Sequence, residues 1–379
     1  MKKMLFHILS GQSLQNYIAA KIINPDVNFY LYTTESKNNL TVHKEVLGEN
    51  IESELIASWD YSEVHNKILN IIDKYSNYEL ILNFTGGNKI ISQAAFNAFR
   101  LKKKDCLYIN SQNDEYIYFD NISDNNKIYK KGIKIKSSIT DFLGLNGQKI
   151  NLSSKKETEP QKKLRIFLED NYRLYSSAIL RFASKFDPKR GFGKFNSLEI
   201  QNGKLKGTFL NYENGISYIK FVHSNKQKLI LNEKGPELLE YLTGKWFETS
   251  CFLKIKKMNY FDEMHENARL EKNNKPTYSN YDDKNEFDII ASKGIYPVIF
   301  ECKSGGIKQE FIDKLFNFKQ TYLGRYSSVF FITFFPVNMN NEYEILLHEK
   351  LEDNKIKIIN YKQLNGGLKS FFNKRDNLR

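Results

Sequence analysis

Apolar runs typical of strands alternate with amphipathic runs typical of helices through the first 110 residues. This alternation favours a parallel, doubly wound sheet, because each strand then needs a crossover helix to return in the same direction. The pattern therefore predicts an α/β domain at the N-terminus. The predicted strands span residues 4–10, 27–33, 79–84 and 106–110, and the predicted helices span 13–21, 36–47, 62–74 and 89–100.

The rest of the chain is more mixed. Residues 115–136 predict added antiparallel strands, followed by a short helix that ends at Gly144. Residues 151–163 lack apolar periodicity and are the best linker candidate. Beyond them the sequence predicts helices at 164–185, 235–258 and 309–323, short antiparallel strands over 197–232, a hairpin at 285–303, and strands at 328–335 and 355–361. We expect domains at 1–150 and 234–379, joined by a connecting segment at 151–233.

Composition excludes several classes of protein. No apolar run is long enough to span a bilayer, and polar residues interrupt the N-terminal run too early for a signal peptide, so we expect a cytoplasmic protein. Three distant cysteines and six scattered histidines form no zinc-binding pattern. The net charge of +13 suits a polyanionic partner such as nucleic acid, although a genome biased toward Lys and Asn codons explains it as well.

Two polar turns follow predicted strands of the N-terminal sheet. One is Ser10-Gly11-Gln12, and the other is Thr85-Gly86-Gly87-Asn88-Lys89. In an open parallel sheet such turns lie at the carboxyl ends of the strands, where ligands bind. The glycines allow backbone N–H groups to approach an anion, and Lys89 could pair with a phosphate. A tight strand-to-helix turn would explain Gly86 and Gly87 equally well.

The predicted hairpin at 285–303 carries the sharper chemical signal. Asp288 lies near the start of its first strand, and Glu301 and Lys303 share one face at the end of its second. Two carboxylates beside a lysine suit a hard divalent cation that activates water against a phosphodiester. An exposed salt bridge is the plain alternative. Glu248, on the helix before the hairpin, adds a third candidate carboxylate. Lys319 and Gln320, on the helix after it, could contact phosphate, although a solvated face is their default.

These residues resemble a known arrangement. Glu248, Asp288 and Glu301-x-Lys303, between helix, hairpin and helix, resemble the core of PD-(D/E)XK nucleases, a restriction-endonuclease-like α/β fold. The N-terminal half resembles a CARF domain, the Rossmann-like sensor of cyclic oligoadenylates in type III CRISPR defence. That resemblance rests on Ser10-Gly11-Gln12 with Asn16, on the stretch from Asn83 to Asn97, and on Asp141 to Gly147. The whole chain looks like the CRISPR ancillary nucleases that fuse these two domains, except over 151–233.

The resemblance implies a homodimer that binds one cyclic oligoadenylate, with cyclic tetra-adenylate as the expected ring, and then cuts DNA. RNA is kept open as a further substrate. It also implies site residues. Glu248, Asp288 and Glu301 would hold Mg2+ or Mn2+, and Lys303 would orient or deprotonate the attacking water. The ligand would contact Ser10, Gly11, Gln12, Thr85, Gly86, Gly87 and Lys89, with Thr33 and Thr34 as further candidates. Phe287 stands where many relatives have a proline.

Two other interpretations stay open at this point. One is a ligand-responsive binding or regulatory protein with an inactive nuclease fold, which the intact Asp288, Glu301 and Lys303 argue against. The other is a repair or restriction nuclease with an unrelated sensor. The sequence also leaves open whether the sensor degrades its own activator.

Overall fold

The computed structural model describes residues 1–11, 13–48, 50–57, 59–111, 113–121, 127–152, 156–183, 197–202, 205–213, 216–224, 226–271, 286–320, 327–338 and 340–377. Within these ranges the strands form three sheets, with seven, four and six members. The first sheet belongs to the N-terminal half, and the third carries the hairpin predicted at 285–303.

The N-terminal sheet confirms the predicted parallel, doubly wound arrangement. Its strand order is β3-β2-β1-β4-β5-β6-β7, in which the first five positions pair in parallel and the last two strands add antiparallel. The strand β3 was not predicted. Its strands are β1 Lys3–Ile8, β2 Val27–Tyr32, β3 Ile51–Leu55, β4 Glu79–Asn83, β5 Asp105–Asn110, β6 Glu115–Asp120 and β7 Lys127–Gly132. Its helices are α1 Ser13–Ile23, α2 Lys37–Leu47, α3 Tyr61–Lys74, α4 Lys89–Leu101 and α5 Ile139–Gly144.

The middle of the chain holds a long helix and a meander. The helix α6 spans Glu159–Ala183, so it begins inside the segment predicted as a linker. The second sheet is antiparallel with order β12-β11-β10-β9, as the alternating pattern over 197–232 predicts. Its strands are β9 Ser197–Asn202, β10 Leu205–Glu213, β11 Ile216–His223 and β12 Lys226–Lys234.

The third sheet is mixed, with order β17-β16-β15-β14-β13-β8. The strands β13, β14 and β15 are antiparallel, and β15, β16 and β17 are parallel. Strand β13 was not predicted. The strands are β8 Ile150–Asn151, β13 Glu263–Leu270, β14 Glu286–Lys293, β15 Tyr296–Lys303, β16 Ser328–Thr333 and β17 Ile356–Asn360. The helices around them are α7 Glu237–Glu240, α8 Trp246–Lys256, α9 Gln309–Phe318, α10 Glu342–Asp353 and α11 Leu364–Asn377.

A π-helical turn interrupts the helix predicted at 235–258. It spans Tyr241–Lys245 and joins α7 to α8, and Gly244 within it has a non-helical backbone. Such turns change the direction of a helix without ending it, and they are frequent at functional sites. Here the turn lies four residues before Glu248.

One apolar cluster joins the first sheet to the third. It contains Leu5, Tyr17 and Leu107 from the N-terminal half together with Ile290 and Ile299 from the hairpin. All five are at least nine-tenths buried. The two sheets therefore share a core rather than meeting at a thin polar boundary.

Within the described ranges, no helix has the length and apolar character that crossing a membrane requires. The cysteines Cys106, Cys251 and Cys302 are all buried as free thiols.

Candidate functional site

The order of the first sheet reverses between β1 and β4, which lie side by side at its centre. Crossovers leave in opposite directions at such a switch point, so the loops beyond the strand ends separate and open a crevice. The turn that begins at Ser10 follows β1, and the turn at Thr85 to Asn88 follows β4. Both predicted turns therefore face one crevice, as expected.

A cavity of about 370 Å3 fills this crevice. Four of the predicted ligand contacts line it, namely Ser10, Gly11, Thr33 and Gly87. The others do not, since Thr34, Thr85, Gly86 and Lys89 lie outside its lining, and Gln12 falls outside the described residues. The lining residues that sequence reasoning did not include among the contacts are Leu9, Glu35, Ser36, Asn39, Trp59, Asn88 and Ile91.

Thr85 uses its hydroxyl inside the domain. The hydroxyl donates to Asn83 Oδ1 at 2.7 Å and accepts a hydrogen bond from the Ile109 backbone N–H at 2.7 Å. It thereby ties the end of β4 to β5. The structure thus gives Thr85 a positioning role beneath the cavity, while its predicted contact with a ligand remains a prediction.

A buried polar network continues below Thr85. Asn83 Nδ2 donates to Asn16 Oδ1 at 2.9 Å, and His7 Nε2 lies 2.9 Å from Asn28 Oδ1. Burial lowers the pKa of His7 to about 4, although its hydrogen bond to Asn28 acts in the opposite direction. The imidazole is therefore neutral at physiological pH. Buried polar groups that are hydrogen-bonded in this way fix the positions of the strand ends that bear the turns.

The turn after β4 is built for close packing. A Cβ on Gly86 would lie 2.4 Å from the carbonyl oxygen of Ile8, and Gly87 has a φ of +82°. Asn88 then caps α4 by accepting a hydrogen bond from the Ile91 backbone N–H at 2.9 Å. The glycines let the turn lie against β1, and the cap starts a helix whose N-terminus favours negative charge. Lys89, the first residue of α4, is exposed.

The second predicted cluster comes together on the hairpin of β14 and β15. Lys303 Nζ lies 2.6 Å from Glu301 Oε1 and 3.2 Å from Asp288 Oδ2. The other bond to Asp288 Oδ2 comes from the Cys302 backbone N–H at 2.7 Å. Asp288 is 8% exposed and Glu301 is 4% exposed, which contradicts an exposed salt bridge. The hairpin pairs Lys293 with Tyr296 around Gly294, as the sequence predicts.

Glu248 adds a third carboxylate to the electrostatics of this cluster. Burial raises the pKa of Glu248 well above its usual value, and the negative charge of Asp288 raises it further. Burial and Asp288 likewise raise the pKa of Glu301. Burial alone would lower the pKa of Lys303, but the carboxylates around it raise that pKa instead. Three acids thus surround one ammonium group, which leaves the cluster with excess negative charge if all of them ionise.

This donor set suits a divalent cation, because carboxylate oxygens are the ligands that Mg2+ and Mn2+ prefer and a cation would relieve the mutual repulsion of the acids. In the present geometry, however, the Lys303 ammonium lies between Asp288 and Glu301. Among the residues that the structure describes, no three His, Cys, Asp or Glu side chains are arranged closely enough to hold a metal ion. Metal binding would therefore need the ammonium group to move aside.

The expectation of a solvated face for Lys319 is wrong. Its side chain is 8% exposed, and Nζ donates to the carbonyl oxygens of Asn354 and Lys355, each at 3.1 Å. These carbonyls lie just past the C-terminal end of α10, where a cation is favourable. Lys319 therefore fastens two elements together, whereas Gln320 is exposed as expected.

The turn of the hairpin is bonded to the N-terminal half. The Tyr296 hydroxyl donates to the Ser111 carbonyl at 2.5 Å, and the Ser137 N–H donates to the Gly294 carbonyl at 2.8 Å. Asp262 accepts from the Gly294 N–H at 2.7 Å and pairs with Lys136 at 2.6 Å. Ser111 directly follows β5, the strand that Thr85 grips. A short series of contacts thus links the turn beside the cavity to the strand that ends in Glu301.

The sequence matches no family model and no curated protein. The fold, in contrast, has solved counterparts. Can2 from Sulfobacillus thermosulfidooxidans, solved in complex with cyclic tetra-adenylate, gives a TM-score of 0.73 at 17% identity and covers 97% of this chain and 98% of its own. The chain has the fold of Can2. The predicted fold class, a CARF domain joined to a nuclease-like α/β domain, is confirmed by this likeness.

Two further structures extend the comparison with Can2. VC1899 from Vibrio cholerae gives a TM-score of 0.75 at 14% identity and covers 98% of each chain. A type III CRISPR defence DNA nuclease activated by cyclic oligoadenylate gives a TM-score of 0.51 at 13% identity over 88% of this chain and 45% of that one. The chain thus matches Can2 and VC1899 along their whole length, and less than half of the third protein.

Proposed function

We propose that this chain is a nuclease of type III CRISPR antiviral defence that a cyclic oligoadenylate activates and that hydrolyses phosphodiester bonds in DNA, with RNA as a further substrate. The observation that carries the proposal is the buried group of Asp288, Glu301 and Lys303 on a hairpin, in a chain whose crevice at the switch point faces the same way as a nucleotide site. That Can2 was solved with cyclic tetra-adenylate supports the same ligand here.

The proposed organisation follows the fold. Residues 1–150 would sense the ligand, 234–379 would cut as a PD-(D/E)XK nuclease, and 151–233 would connect them. Glu248, Asp288 and Glu301 would hold Mg2+ or Mn2+, which lowers the pKa of bound water and stabilises charge on the phosphate. Lys303 would hold the attacking water in place. A homodimer would let two copies of the crevice close on one cyclic ligand.

One observation favours a different function. The ammonium of Lys303 closes the gap between Asp288 and Glu301, as in an inactive cluster that only regulates. The chain would then be a ligand-responsive binding protein with a nuclease fold. A salt bridge that opens when the ligand binds would look the same before activation.

One incubation series separates these functions. Plasmid, single-stranded DNA and RNA would each be mixed with the protein in Mg2+, Mn2+ or a chelator, with and without cyclic tri-, tetra- or hexa-adenylate. We expect metal-dependent cleavage of DNA only when a cyclic oligoadenylate is present. Ligand binding without cleavage of any substrate would favour the regulatory function. Cleavage that ignores all three ligands would contradict the sensor.

The contact between Tyr296 and Ser111 gives a prediction about coupling. Tyr296→Phe removes the bond to the Ser111 carbonyl but keeps the buried ring, which is 3% exposed. We expect the stimulation of cleavage by cyclic tetra-adenylate to fall about 5- to 10-fold, as for the loss of one buried hydrogen bond between two coupled sites. Ligand affinity, measured by calorimetry, should change less. Tyr343→Phe, at a 55% exposed position on α10, is the matched control. Unchanged stimulation in Tyr296→Phe would exclude this contact from the coupling.

A further inference from the structure

Trp59 is an exposed aromatic residue at the edge of the cavity. It is 74% exposed and lines the same cavity as Ser10, Gly11 and Gly87. A tryptophan usually buries 150–250 Å2 in a core or an interface. A position that leaves an indole open to water beside a concave polar site therefore requires an explanation.

The chain holds Trp59 in place on both sides. Before it, the Ile56 N–H donates to the Tyr32 carbonyl at 2.9 Å, and the Ile56 side chain is buried. After it, Asp60 caps α3 by accepting from the Glu63 N–H at 2.9 Å. The short segment between β3 and α3 is thus anchored at both ends, so the indole is presented on a fixed base rather than on a long loop.

The topology places Trp59 with the other lining turns. The strands β1, β2, β3 and β4 are parallel, so the segments that follow them all lie at one edge of the sheet. Ser10, Thr33, Trp59 and Gly87 come from these four segments in turn. Tyr61, two residues further on, stacks on His65 with ring centroids 5.8 Å apart. Among the described residues, no ring stacks on Trp59.

We propose that Trp59 stacks on an adenine base of the bound cyclic oligoadenylate, and this inference rests on the ligand proposed above. The turns at Gly11 and Gly87 offer polar backbone for phosphate and sugar groups, whereas they offer no flat apolar surface for a base. The indole supplies that surface. Stacking of a base on an aromatic side chain contributes enough to matter, because its removal typically weakens nucleic-acid binding about 5- to 100-fold.

Tryptophan fluorescence can test this directly, since the chain has only two tryptophans. Trp59 is exposed and Trp246 is fully buried, so a change in the long-wavelength emission on ligand binding reports on Trp59. We expect cyclic tetra-adenylate to quench this emission in the native protein and not in Trp59→Phe. By calorimetry, Trp59→Leu should bind about 5- to 100-fold more weakly, with Trp59→Phe between it and the native protein. Tyr129→Leu, at a 40% exposed position on β7, should bind normally.

The outcomes are distinct. Native affinity and unchanged fluorescence in a protein that binds the ligand would overturn the stacking and leave the proposed function intact. Failure of the native protein to bind cyclic tri-, tetra- or hexa-adenylate would overturn both. If Trp59→Leu instead shifts the molar mass in light scattering without weakening the affinity per site, Trp59 faces a second copy of the chain, and the stacking is wrong.

Discussion

Glu301→Gln is expected to lower DNA cleavage about 100- to 1000-fold while the affinity for cyclic tetra-adenylate stays unchanged. The substitution keeps the shape of the side chain and removes the charge that faces Lys303 at 2.6 Å. Loss of one charged group that stabilises a phosphoryl transition state typically has an effect of this size. The ligand cavity lies on another sheet, so its lining is not altered. Initial rates on plasmid DNA with saturating ligand and metal give the measurement.

Stability separates a lost function from a lost fold. Glu301 is buried among other acids, and its pKa is raised by burial and by Asp288, so its charge opposes folding. We expect the melting temperature of Glu301→Gln without metal to equal or exceed that of the native protein. Mg2+ or Mn2+ should raise the melting temperature of the native protein more than that of the variant. Glu286→Gln, on the same hairpin but paired with Arg269 at 3.2 Å near the surface, should cleave normally. A Glu301→Gln enzyme that keeps more than a tenth of the native rate would refute the site assignment.

Gly86→Ala is expected to weaken binding of cyclic tetra-adenylate about 10- to 100-fold. The added Cβ would lie 2.4 Å from the Ile8 carbonyl oxygen, which belongs to a central strand that pairs on both sides and cannot move away. The turn must shift instead, and overpacking of this kind typically costs about 1–3 kcal/mol. Because the same turn places Gly87 and Asn88 in the cavity lining, the displacement changes the ligand site itself.

Gly11→Ala provides the matched control. Gly11 lines the same cavity, and a Cβ built there meets no atom within 4 Å. It should therefore fold and bind with near-native affinity. Calorimetric titration of both variants with cyclic tetra-adenylate decides the matter. Equal weakening by the two alanines would mean that the methyl group blocks the ligand, and that the packing of the turn against Ile8 is not the cause.

The sequence allowed much of the fold to be predicted, because strongly apolar central strands carry a clear pattern. The strands that were not predicted show why others escape. Ile51 to Leu55 has glutamate and serine inside it and forms an edge strand with mostly half-buried side chains, so its apolar content is low. Glu263 to Leu270 likewise begins Glu-Met-His-Glu-Asn and depends on its neighbours in the sheet for its conformation. Pairing with other strands stabilises both, and a local pattern does not contain that information.

The candidate sites show the same division. Asp288, Glu301 and Lys303 could be predicted because a hairpin fixes which side chains face each other. Trp59 could not, because its place beside the cavity depends on the unpredicted strand before it. Asn39 reaches the cavity only because its amide donates to the Ser10 carbonyl at 3.0 Å, across 29 residues of sequence. Thr85 lies in a predicted turn, yet its hydroxyl is directed toward Asn83 by packing that the sequence does not display.

The apolar cluster shared by the first and third sheets has a thermodynamic consequence. Leu5 and Leu107 on one side and Ile290 and Ile299 on the other are buried against a common core, so neither half can unfold without exposing apolar surface of the other. Unfolding of these halves should then be cooperative, with one heat-capacity peak for both. A ligand present at 100 times its Kd adds about 2.7 kcal/mol to the free energy of unfolding. Through the common core, a small molecule bound beside Gly87 would stabilise the hairpin that bears Glu301 against heat.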